Sequence, residues 1–139
     1  MQVILDTNVL VSGLLKRNSK PEKIVDAILM GKIQLIIDER VFSEYHDVLH
    51  RPKLNIPVER SNAILSFIAY SSIWIECKPI DFSQFEIIDK WDLAFVELAV
   101  NNNAILIMGN LKHFQFLKKF DIQVLLPDEF LSKFAYKLL

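Results

Sequence analysis

The sequence predicts an α/β fold, a three-layer α/β/α domain with a central, mostly parallel sheet of about five strands. Short apolar runs alternate with helical stretches along the 139 residues, and helix caps and prolines stand between them. The apolar runs are continuous rather than alternating, as expected of strands buried on both faces beneath covering helices.

The elements follow in order. Gln2 to Leu5 is an apolar run ended by Asp6, which predicts a buried strand, and Asn8 to Leu15 continues as an apolar helix. Ser19 and Glu22 have capping-box spacing and Pro21 suits a first helical turn, so a second helix opens there and ends at Gly31. Ile33 to Ile37 is the next strand, with Asp38 as N-cap of a helix carrying Val41, Phe42, Tyr45, Val48 and Leu49 until Pro52 stops it. Pro57 opens another helix, and Ile73 to Cys77 predicts a third strand. Residues 78–88 predict a loop. Trp91 to Val100 predicts a helix, Ala104 to Met108 a strand, and Gly109-Asn110 a turn. A short helix from Leu111 to Lys118 leads to a strand from Ile122 to Leu126, and Pro127-Asp128 starts the last helix. With no repeat or linker evident, residues 1–139 are expected to form one domain.

Composition narrows the function classes. Hydrophobic residues make up 52% and charged residues 24%, with 3 Gly and 5 Pro, which excludes a disordered or low-complexity chain. Its one cysteine, Cys77, excludes a disulfide framework and a cysteine-rich zinc site. No signal peptide or membrane-spanning run is evident, so a cytoplasmic protein without membrane contact is expected. A net charge of −1 argues against a wholly basic nucleic-acid binder. Basic groups at Lys16–Lys23, His46–Lys53 and Lys112–Lys119 nevertheless supply a phosphate-binding rim if the fold gathers them. Gly13, Gly31 and Gly109 are too dispersed for a phosphate-cradling loop.

The acids carry the chemistry. Asp6 follows the first strand directly, Glu44 lies beside the apolar stripe of its helix, and Asp89 and Asp92 stand at a helix entry. Taken singly, each suits a bland role as a cap or a helix-edge acid. In a parallel sheet, however, ligands bind beyond the strand carboxyl ends where strand order reverses, and these positions can converge there. Converging carboxylates need a cation, and oxygen ligands favour Mg²⁺ or Mn²⁺. A carboxylate-held Mg²⁺ points in turn to phosphodiester chemistry.

Five segments in order carry a family resemblance: Val3–Ser12, Phe42–Leu54, Asp89–Ala99, Ile107–Phe114 and Leu126–Leu131. Together they resemble the PIN-domain nucleases, most closely the toxins of toxin–antitoxin pairs. The resemblance implies a PIN-like domain that is a Mg²⁺- or Mn²⁺-dependent endoribonuclease hydrolysing RNA, with a cognate antitoxin as protein partner. It also implies that Asp6, Glu44 and Asp92 are catalytic metal ligands, with Asp89 an accessory acid. Thr7, Asn8 and Ser12 would hold those ligands in place, with Asn110 beside them. Arg51, Lys53, Lys112 and His113 are the candidate RNA contacts. Two departures stand out: Asn110 where an aspartate is usual and Met108 where Thr or Ser is usual. The acid-rich stretch is also thinned, with Trp91 and Leu93 where acids are common, which lowers the negative charge and weakens a second metal site. Asn110 keeps an alternative open, a non-catalytic PIN-fold module that binds RNA or protein. The dense group Phe114, Phe116, Phe120, Phe130 and Phe134 suggests an apolar patch, hence a homodimer or higher oligomer.

Overall fold

A computed structural model describes residues 1–84, 90, 92–111 and 114–138. Strands β1 (Gln2–Leu5), β2 (Gln34–Ile37), β3 (Ile73–Trp74), β4 (Ile105–Ile107) and β5 (Val124–Leu125) form one sheet in the order β3-β2-β1-β4-β5. All four pairings are parallel. Helices α1 (Thr7–Leu15), α2 (Lys20–Leu29), α3 (Glu39–Leu49), α4 (Val58–Ser71), α5 (Leu93–Asn102) and α6 (Pro127–Phe134) connect and cover it. Val3, Ile4 and Leu5 are each 0% exposed. Successive strand side chains point to opposite faces, so full burial of all three means that both faces of β1 are covered. The expected parallel α/β sheet is therefore present.

Local signals account for most boundaries. Ser19 accepts from Glu22 N at 3.2 Å, while the Glu22 carboxylate takes Asn18 N at 3.0 Å, so the box closes one residue earlier than its spacing suggests. Gly31 leaves α2 at φ +77°, a conformation costly for any side chain. Asn103 ends α5 in the left-handed region at φ 48°, which Asn tolerates better than most residues. A Cβ on Gly13 would stand 2.4 Å from Val25 Cγ2 and 2.8 Å from the Pro21 carbonyl, so only glycine lets α1 lie this close to α2.

Some expectations need correction. The third strand covers only Ile73–Trp74, not Ile73 to Cys77, although Ile75 N still donates to the Ile37 carbonyl at 2.9 Å. It pairs with β2 alone, and β2 ends at Ile37 with no further register to extend it. The short helix expected at Leu111 to Lys118 is a 3₁₀ helix at Gln115–Phe120 instead. The phenylalanine group divides, with Phe116, Phe120 and Phe134 only half-buried. Phe114 and Phe130 are core residues, and Phe82 packs edge-on against both Phe116 and Phe120. Among the described residues, no helix is long and apolar enough to cross a membrane.

Candidate active site

Strand order reverses at β1, whose neighbours β2 and β4 lead away in opposite directions. A crevice therefore opens at its carboxyl end, where chain crossovers diverge. Asp6 stands there, with its N–H donating to the Ile107 carbonyl at 2.9 Å. A cavity of about 760 Å³ in the crevice is lined by Asp6, Thr7, Asn8, Glu44 and Asp92, with Arg40, Asp47, Arg51 and Lys90 among its other walls. Acids separated by as many as 86 positions in sequence share one cleft.

Each acid arrives by a different route. Asp6 occupies the N-cap position of α1 but makes no side-chain cap bond. Asp92 occupies the N-cap position of α5 and likewise makes none. Glu44 projects from α3, whose buried positions Val41, Tyr45 and Leu49 fix the helix against the core. Thr7 Oγ1 donates to Glu44 Oε2, tying α1 to α3 across the cleft.

Electrostatics follow from this crowding. Asp6 is only 9% exposed, and its pKa is raised to about 7. Burial is the main cause, followed by the negative charges of Asp92 and Glu44, while the N–H groups of Asn8 and Thr7 draw it partly back. Glu44 is raised as well, first by burial and also by Asp92, against the hydrogen bond from Thr7 and the charge of Arg51. Among the described residues, no cation forms an ion pair with Asp6. The acids influence one another, yet no described trio of Asp, Glu, His or Cys stands close enough to grasp an ion. The donor set is all oxygen and anionic, which suits a hard divalent cation.

The other site expectations divide. Thr7 and Asn8 line the cavity; Ser12 lies farther along α1, outside its lining, and Asn110 is exposed beyond β4, also outside it. Arg51 reaches the cavity and pairs with Asp47 at 3.1 Å, whereas Lys53 is exposed away from it. Asp89, Lys112 and His113 lie outside the described residues.

Two arrangements escaped the sequence. Arg40 bonds Asp38 Oδ2 through Nη2 at 2.7 Å and Glu97 Oε1 through Nη1 at 2.6 Å, beside the acidic cleft. Glu97, alone among the apolar residues of α5, was the available signal. His46 and His50 stand four residues apart on α3, with ring centroids 4.4 Å apart. His50 Nδ1 meets the His46 carbonyl at 2.7 Å and Nε2 lies 2.8 Å from Asn62 Oδ1, which together raise its pKa. Neither ring lines the acidic cavity.

Comparison with known proteins agrees with this architecture. An uncharacterized protein of Methanocaldococcus jannaschii is 31% identical over 112 residues, covering 79% of this chain and 71% of that one. The fold matches a chain of the VapBC2 complex of Rickettsia felis, crystallised with a DNA fragment from its promoter. The TM-score is 0.63 at 18% identity, over 91% of this chain and 98% of that one. A chain of FitAB bound to an IR36 DNA fragment gives 0.61 at 18% identity, over 91% and 95%. FitAcB from Neisseria gonorrhoeae gives 0.59 at 16%, over 91% and 98%. The PIN domain profile matches residues 2–112, spanning β1 to the turn after β4 and every acid of the cleft. The chain belongs to the PIN domain family.

Proposed function

We propose that the protein is a metal-dependent endoribonuclease and the toxin of a toxin–antitoxin pair. One observation carries the proposal: Asp6, Glu44 and Asp92, far apart in sequence, line a single cleft at the carboxyl end of β1. Asp6 and Glu44, raised first by burial and then by neighbouring acids, suit a divalent cation. Asp6, Glu44 and Asp92 would hold Mg²⁺ or Mn²⁺, with Asp89 as the accessory acid. When bound, such a cation lowers the pKa of water and offsets charge on a phosphate.

The chain's own groups do the remainder. Glu44, held by Thr7, orients the attacking water in line with the scissile phosphodiester. Arg51 faces the same cavity and stabilises the developing negative charge on the phosphate oxygens. Lys53, Lys112 and His113 extend the contacts along the RNA backbone, which positions the strand without reading its sequence. Ser12 and Asn110 support the site from outside the cavity. The likeness to chains of VapBC2 and FitAB assemblies supports a small protein partner for this chain as well.

Cleavage of a long RNA with Mn²⁺, compared between wild type and Asp6→Asn, tests the proposal. Wild type should cut and the variant should not. Equal cutting by both, or none by wild type on several RNAs, would overturn the catalytic assignment and leave the binding-module alternative.

A further inference from the structure

The two residues flanking Asp6 are each bonded to α3. Leu5, just before it, receives a hydrogen bond on its carbonyl from Tyr45 Oη at 2.5 Å. Thr7, just after it, donates to Glu44. Neighbours of one acid thus bind two consecutive residues of the helix that bears another. Tyr45 is 0% exposed and anchored in the core, so its hydroxyl has little freedom to point elsewhere. Leu5 also needs this donor. Its strand pairs with β4 through Leu5 and Ile107, but its register with β2 runs only through Gln2 and Val3. A buried carbonyl at a strand end costs free energy unless a donor reaches it.

We infer that Tyr45 is a positioning residue of the acidic cleft, its hydroxyl acting with Thr7 to fix the axial register of α3 against β1 and so the approach of Glu44 to Asp6. The inference rests on the reading of those acids as a metal-holding centre. A helix turn rises 5.4 Å, so a slip of even a fraction of a turn carries Glu44 away from Asp6. Val41 and Leu49 hold α3 on the core by packing, which has no direction; the two hydrogen bonds on adjacent residues add a directional restraint at Glu44 itself.

Tyr45→Phe keeps the ring and removes only the hydroxyl. Mn²⁺ titration calorimetry should show affinity about 10-fold weaker, the scale of losing a group that orients a ligand. Ser61→Ala is the structural control: Ser61, equally buried on α4, donates through Oγ to the carbonyl of Leu49 at the C-terminal end of α3, at 3.0 Å. That variant should lose similar thermal stability and keep Mn²⁺ affinity. Unchanged affinity in Tyr45→Phe, or an equal loss in Ser61→Ala, would overturn the role. If Tyr45→Phe does not fold, Thr7→Val tests the other bond of the pair, and wild-type affinity there would also overturn the inference. If wild type binds no Mn²⁺, the metal reading fails on its own. Crystal structures of wild type and Tyr45→Phe then decide: a displaced Glu44 carboxylate upholds the positioning, and a coincident one removes it.

Discussion

Asp6 and Asp38 occupy equivalent places in the fold and have opposite surroundings. Each is the first residue past an inner strand, each stands at the N-cap of the helix that follows, and each is buried, at 9% and 5% exposure. Asp38 is fully engaged: it takes Val41 N at 2.9 Å, and Arg40 bridges it to Glu97. Asp6 draws only partial support from the N–H groups of Asn8 and Thr7, forms no ion pair with a described cation and faces two further acids. One acidic position is neutralised from within the chain and serves stability. The other is crowded by acids that raise its proton affinity, so ionising it costs stability, an arrangement that fits a site for an external cation.

The contrast can be tested from its largest consequence down. Asp6→Asn should lower Mn²⁺-dependent RNA cleavage by about 1,000-fold, as measured in initial rates, because it removes a central charge of the site. The same substitution should raise the melting temperature of metal-free protein at pH 8. The reason is linkage: the folded Asp6 holds its proton up to about pH 7, whereas the unfolded side chain loses it near 3.8. Between those values the folded state binds more protons, so stability falls as pH rises and the loss is complete above about 7. The ceiling is about 4 kcal/mol. Urea denaturation of metal-free wild type from pH 4 to 8 should show this decline, and Asp6→Asn should flatten it.

Arg40→Ala attacks the other half of the comparison. It strands Asp38 and Glu97 in the interior, and the expected destabilisation in urea melts is about 3 kcal/mol. That is the low end for a broken buried pair, since the guanidinium side chain is 45% exposed. The smallest effect belongs to Asp47→Ala. Its exposed pair with Arg51 is one helical turn long, and its loss should change stability by no more than about 0.5 kcal/mol. A large loss there would mean that Arg51 matters to the fold rather than to the cleft.

Elements were legible wherever the signal is local. Ser19, Asp38 and Pro127 announce helix starts through chemistry acting within three residues, and the structure places α2, α3 and α6 there. The convergence of Asp6, Glu44 and Asp92 could be foreseen from the position of each beside a strand end or a buried stripe. The Arg40 bridge could not, because residues 40 and 97 meet only through tertiary packing of α3 and α5, and nothing near either one names its partner. The hydroxyl of Tyr45 was equally silent: its spacing marks a core aromatic, and only the fold brings the Leu5 carbonyl within reach. Strand lengths erred at the margins of the sheet, where apolar residues continue after pairing has stopped.

Those margins have a consequence for how copies of the chain behave at high concentration. The outermost strands, β3 and β5, are two residues each. They offer an incoming strand only a couple of open backbone groups, too few to template a growing cross-chain ribbon. Mean hydropathy here is +0.27, and Ile73 to Cys77 in full extension would have made a longer adhesive border. Its early end keeps the greasiest backbone in the interior and makes polymerisation through sheet edges an unfavourable route.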